Sequence, residues 1–141
     1  MPSNLSLKLL VVFSRASHYT TEKIKEDIAY YGLNLTEFGV LELLYHKGEQ
    51  PIQQIGKKIL LSSGSITYVV DKLENKQLLM RKSCPTDRRV IYAVITEKGK
   101  HFLEEIFPKH ERFVDDLFSA LSHEEQQTMI TLCKKIGLQG E

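Results

Sequence analysis

The chain has 141 residues, 42% hydrophobic and 26% charged, which excludes a disordered segment and leaves room for one domain with its own core. No apolar run approaches the roughly 20 residues that cross a bilayer, and segment 7–13 is short and lacks a small-residue cleavage site, so a cytoplasmic protein is expected. The net charge of +1 hides an asymmetry: residues 51–100 hold ten basic and four acidic side chains, against nine and fourteen in the rest of the chain, which fits a polyanion partner for the centre.

Between residues 5 and 31, Leu9, Phe13, Ala16, Ile24, Ile28 and Tyr31 keep helical spacing, and Gly32 is a natural stop. Thr36 can cap a second helix with Phe38, Leu41, Leu44 and Tyr45 inward and Lys47-Gly48 at its end. Pro51 opens a short third helix with Ile52, Ile55 and Ile59 inward. A fourth, with Ser62 as cap, places Ile66, Val69, Val70 and Leu73 at i, i+3, i+4 and i+7. Its opposite face shows Gly64, Thr67, Tyr68, Asp71 and Asn75, flanked by Ser65 and Lys72. Two short helices joined by a tight turn form a helix-turn-helix.

Segments 79–83 and 90–95 are strand-like and too close in sequence for anything but a hairpin, with Cys84-Pro85-Thr86-Asp87-Arg88-Arg89 at its tip. Thr96-Glu97-Lys98-Gly99 starts a long helix through Phe102, Ile106, Phe113 and Leu117, which Pro108 must kink or break for want of an amide donor. Ser122 and Glu125 form a capping box for a last helix with Met129, Leu132, Cys133 and Ile136 on one stripe.

The expected fold is therefore mainly α with a small β-hairpin wing. A winged helix-turn-helix over 35–100 is flanked by helices 1–34 and 101–141 within a single domain, 1–141. A winged helix needs only about 70–90 residues. The terminal helices have no evident core of their own, so they either fold back on it or pack against a second copy as dimerisation helices.

A polar-faced helix beside an arginine-tipped hairpin suits the grooves of double-stranded DNA. Ser63, Ser65 and Thr67 offer short hydroxyls to phosphates or base edges, Tyr68 can stack on a thymine methyl or donate to phosphate, and Lys72 can meet the backbone. Arg89 and Arg88 suit the minor groove, whereas Asp87 would be repelled by DNA and is placed to orient Arg89. The alternative for each is a solvated surface group.

Other chemistry is thin. Five histidines show no metal-ligand spacing, no nucleophile or phosphate-binding motif is visible, and no cofactor is expected, so the chain does not read as an enzyme. Cys84 and Cys133 suit neither a disulfide framework nor a zinc cage. Cys84, beside Arg81 and Lys82, is a candidate redox sensor if those cations favour the thiolate, and otherwise a small residue at a strand end; Cys133 lies on an apolar stripe and reads as packing. The rival function is a winged helix used for protein–protein contact, which has no need of an arginine pair at the wing tip.

The helix order, Leu35-Thr36-Glu37-Phe38, the 62–73 recognition segment, and Asp87-Arg88-Arg89 followed by Ile95-Thr96-Glu97-Lys98-Gly99 resemble the MarR (multiple-antibiotic-resistance regulator) family over essentially the whole chain. Segments 41–48 and 64–73 are similar to its branch that responds to quinones and related electrophiles. The resemblance implies a homodimeric bacterial transcription regulator of stress responses, usually a repressor on a near-palindromic operator. It also implies release by a small molecule or oxidant, bound between the winged helix and the dimer helices. Two positions depart from the family: Gln77 stands where Gly is common, which costs local strain, and Tyr68 where a recognition-helix Arg is common, which changes the operator read.

Overall fold

Asn4 opens the first helix by accepting the Leu7 amide at 3.2 Å, and α1 (Leu5–Ala29) runs to a turn in which Gly32 takes φ 81°. The structure is a computed structural model that describes residues 4–59 and 63–137. The next helix, α2 (Leu35–Lys47), is capped by Asn34 rather than Thr36. Asn34 Oδ1 accepts the Glu37 amide at 2.8 Å while Glu37 Oε1 accepts the Asn34 amide at 3.0 Å, and this reciprocal box places Thr36 inside the first turn.

The sheet has one strand more than the expected hairpin. β1 (Gln50–Pro51) precedes α3 (Ile52–Lys58) and α4 (Ser63–Asn75); β2 (Leu79–Ser83) and β3 (Ile91–Ile95) complete an antiparallel sheet in the order β1-β3-β2. Gln50 sits opposite Ala93 and Pro51 opposite Tyr92. A two-residue strand carries no periodicity to read, and proline tolerates an edge position because its missing donor costs the ladder least there. Ser62, expected to cap α4, lies outside the described residues.

The apolar stripe of α4 is the centre of the core: Ile66, Val69, Val70 and Leu73 are all buried together with Leu41 and Leu44 of α2, Ile55 of α3 and Leu79 of β2. Tyr45, expected inward, instead stays 39% exposed, with its hydroxyl 3.5 Å from Glu104. The phenol oxygen keeps a wet, polar end that the interior would not satisfy.

α4 ends in a Schellman arrangement. The Leu78 amide donates to the Leu73 carbonyl and the Gln77 amide to that of Glu74, with Gln77 at φ 64°. The strain expected at this non-glycine residue is present, and the buried Leu78–Leu73 pair is the apolar contact that accompanies such a cap. Thr96 caps α5 (Glu97–Leu117), which continues as one helix through Pro108. Of the two outcomes expected at Pro108, a kink or a break, the break does not occur: a proline removes only one hydrogen bond, and Leu103 and Ile106 hold the preceding turns in the core. The predicted capping box opens α6 (His123–Gly137): Ser122 Oγ accepts the Glu125 amide at 3.1 Å, and Glu125 Oε1 accepts the Ser122 amide at 2.8 Å.

α1 joins this body only through its C-terminal part. Ile28 is buried, Ile24 packs on the core, and Asp27 Oδ2 lies 2.8 Å from His110 Nδ1 of α5. Residues 5–19 are exposed, among them Leu5, Leu7, Leu9, Leu10, Val11, Val12 and Phe13. α6 likewise buries no residue and leaves Met129, Ile130, Leu132 and Ile136 exposed. No helix among the described residues is long and apolar enough to cross a membrane.

Candidate nucleic-acid interface

Helical phase sorts α4 into two faces. With its stripe in the core, Ser65, Thr67, Tyr68 and Asp71 are left exposed and Lys72 half-buried. Lys72 Nζ lies 5.5 Å above the Tyr68 ring, a cation–π contact that aligns an aromatic and a positive charge on one patch. The side chain of Ser63 lies outside the described residues.

The wing is held at a set angle to this helix by a residue that sequence reasoning assigned no such part. Arg81 of β2 donates from Nη2 to Asp71 Oδ1 at 2.7 Å and from Nη1 to Glu74, while its backbone amide reaches Glu74 Oε2 at 3.3 Å. A signal was present: Asp71 and Glu74 sit at i, i+3 on one helix edge, a few residues before a strand that carries an arginine.

At the hairpin tip the Cys84 amide donates to the Val90 carbonyl, and the Val90 amide to that of Asp87, both at 3.1 Å. Inside this turn the Asp87 carboxylate grips Arg89. Oδ1 accepts the Arg89 amide at 3.0 Å and Nε at 3.1 Å, and Oδ2 accepts Nη2 at 3.3 Å. Arg89 remains 90% exposed, so its guanidinium is fixed in direction and still open to a ligand. The bond from the Arg89 side chain, followed by that from its backbone amide, lowers the Asp87 pKa. The carboxylate therefore keeps its charge and its grip on Arg89 until the pH falls below the ordinary aspartate range. Arg88 is exposed on the same turn.

Thr67 of α4 and Arg89 of the wing line one open groove of about 750 Å³. Its other walls include Gln53, Gln54 and Lys57 of α3 and Tyr92 of β3. Sequence reasoning missed these three α3 residues, because a seven-residue helix shows its inward isoleucines and little else.

Cys84 directly follows β2, and the two cations beside it in sequence are engaged elsewhere. Arg81 is committed to α4, and Lys82 Nζ pairs with Glu49 at 3.4 Å. The Cys84 pKa is lowered chiefly by a hydrogen bond with the Thr86 hydroxyl, 3.3 Å from Sγ, and then by the backbone amides of Thr86 and Asp87. The thiol thus belongs to the turn that shapes the wing. Among the described residues no group of histidine, cysteine or carboxylate side chains is arranged to hold a metal ion.

Comparison with known proteins agrees with this geometry. The sequence model of the MarR family matches residues 33–91. The HTH-type transcriptional regulator MhqR of Bacillus subtilis is 58% identical over 133 residues, covering 94% of this chain and 92% of that one. Among solved structures, AbsC, a MarR family transcriptional regulator from Streptomyces coelicolor, superimposes with a TM-score of 0.88 at 20% identity, covering 100% of this chain and 99% of that one. Sco3205 from the same organism, solved in complex with DNA, gives 0.86 at 20% identity, covering 100% and 94%.

Proposed function

The chain belongs to the MarR family, and from this we propose that it works as a homodimeric repressor on a near-palindromic operator in the bacterial cytoplasm, released by a small molecule or electrophile. It is a DNA-binding transcription regulator and not an enzyme. The observation that carries the reading is the single groove shared by the exposed face of α4 and the Asp87-held Arg89. In this arrangement Ser65, Thr67, Tyr68 and Lys72 lie toward the major groove, and Arg89, with Arg88 beside it, reaches the adjacent minor groove.

The dimer is supported by the two terminal helices. Among the described residues twelve large hydrophobic side chains on α1 and α6 are between 41% and 82% exposed, more apolar surface than a lone soluble chain leaves open. A second copy related by a two-fold axis covers both faces and duplicates the DNA-reading element at a fixed separation. A 230 Å³ cavity between α2 and α5, floored by Leu103, Phe107 and Pro108 and edged by Glu42, Tyr45, His46 and Glu104, has room for a single-ring effector. That size suits the quinone-like class implied by segments 41–48 and 64–73.

The test uses an operator selected from random-sequence duplex DNA. Inserting about half a helical turn (~5 base pairs) between its half-sites is expected to weaken binding tenfold or more, because it turns one half-site to the wrong side of the duplex. Affinity that survives the insertion overturns the two-half-site reading. Cys84→Ser is expected to keep both operator binding and release by the effector, since a serine hydroxyl can hold the turn with Thr86. Loss of release with binding retained makes Cys84 the sensor instead.

A further inference from the structure

The exit of the recognition helix is fastened to the rest of the protein through one buried charge. Glu37, at 2% exposure, is the only polar or charged side chain buried among the described residues. Its Oε1 is used by the Asn34 amide, and its Oε2 accepts Lys76 Nζ at 3.1 Å. Lys76 immediately follows α4, and the same ammonium donates to the Gly32 carbonyl, in the turn that ends α1, at 3.0 Å. From the other side, Lys98 of α5 donates to the Lys76 carbonyl at 3.1 Å, and the Thr96 hydroxyl to that of Gln77 at 2.7 Å. Both terminal-helix systems, α1 and α5, therefore converge on the last turn of the DNA-reading helix through Lys76 and its neighbours.

Stability alone does not account for this pair. Glu37 is buried, whereas Lys76 keeps 37% of its side chain exposed, so the desolvation cost falls on the carboxylate and the half-open pair repays little of it; an apolar side chain of similar volume in place of a buried charge often folds as well or better. A directional pair supplies something an apolar contact cannot, which is one allowed position for the groups it joins. We propose that Glu37, acting through Lys76, is a positioning residue for operator binding: it sets the pose of α4 relative to α1, and so the half-site spacing that the dimer accepts. The proposal rests on the two-half-site reading above. It requires no contact between Lys76 and DNA.

The experiment measures affinity of the full-length protein for the selected operator and for versions with one base pair added or removed between half-sites, across a salt series. It is run at low temperature, where folding of each variant is verified by circular dichroism. Wild type is expected to show a sharp spacing optimum. Glu37→Gln turns an amide donor toward the lysine, and Lys76→Met removes the ammonium. Each is expected to lower affinity at the native spacing about tenfold, the low end of what one misplaced base contact costs, and to blunt the optimum with an unchanged salt slope. Lys76→Arg, which keeps the charge, is expected to restore most of the optimum. If Glu37→Gln does not fold, Lys76→Met alone decides, because Glu37 still holds the Asn34 amide in that variant. A wild type indifferent to spacing overturns the two-half-site reading itself. A sharp wild-type optimum retained in folded Lys76→Met overturns the positioning proposal and leaves Glu37 a purely structural residue. A reduced salt slope in Lys76→Met makes the lysine a phosphate contact and overturns it as well.

Discussion

Arg89→Ala is expected to weaken operator binding by about 1–3 kcal/mol and to flatten the salt dependence by about one unit per subunit. The side chain is 90% exposed and contributes almost nothing to the core, so its removal leaves the fold intact. What is lost is a charge already aimed, because Asp87 holds Nε and Nη2 in a fork and less rotamer freedom remains to be surrendered on binding. Asp87→Ala is expected to produce a smaller loss of the same kind, since the arginine stays but is no longer directed. Lys134→Ala, on the exposed side of α6, is the charge-matched control. Fluorescence anisotropy with the selected duplex at several salt concentrations separates the three variants. Equal losses for Arg89→Ala and the control indicate a diffuse positive field. An unaffected Arg89→Ala removes the wing from the DNA interface and favours a protein partner for it.

Gly99→Ala is expected to destabilise the fold by about 3 kcal/mol, even though alanine gains about 1 kcal/mol in helix propensity. A Cβ at this position lies 2.2 Å from the Leu78 carbonyl oxygen and 2.8 Å from Ile95 Cγ1. The first of these is backbone and has nowhere to go: the Leu78 carbonyl also accepts the Thr96 amide at 3.1 Å, and the Leu78 amide closes the cap of α4. The start of α5 must therefore move off the sheet. A drop in melting temperature of about 10 °C is the expected readout for a domain of this size. An unchanged melting curve shows that α5 can shift without cost.

Gly99 also shows why some of this molecule is legible in its sequence. Thr96-Glu97-Lys98-Gly99 announces a helix start by its cap, and the glycine marks where helix and strand exit touch. The stripe of α4, the hairpin and the capping box before α6 are equally plain, because each follows from a spacing within a dozen residues. What was hidden depends on partners distant in the chain. Arg81 looked like a cation beside Cys84 and is a clamp on α4; Glu37, given no role of its own in the sequence, is a buried anchor for Lys76, 39 positions later. Strand β1 was invisible because two residues have no period. Pro108 left a kink and a break equally open in the sequence, because the rule against interior prolines weighs local hydrogen bonds and not the tertiary packing that keeps α5 continuous.

Residues 5–19 of α1 lie exposed, with most of their apolar groups unburied within the chain. An isolated helix of about 15 residues is only marginally stable in water. With a second copy covering that face, ordering of the helix and association of two protomers become one equilibrium, governed by mass action. In the proposed dimer, dilution then acts on shape as well as on number, because protomers below the dissociation constant lose the paired heads and the cover over the N-terminal part of α1. For the proposed dimer, occupancy of an operator accordingly rises with the square of protomer concentration in that range.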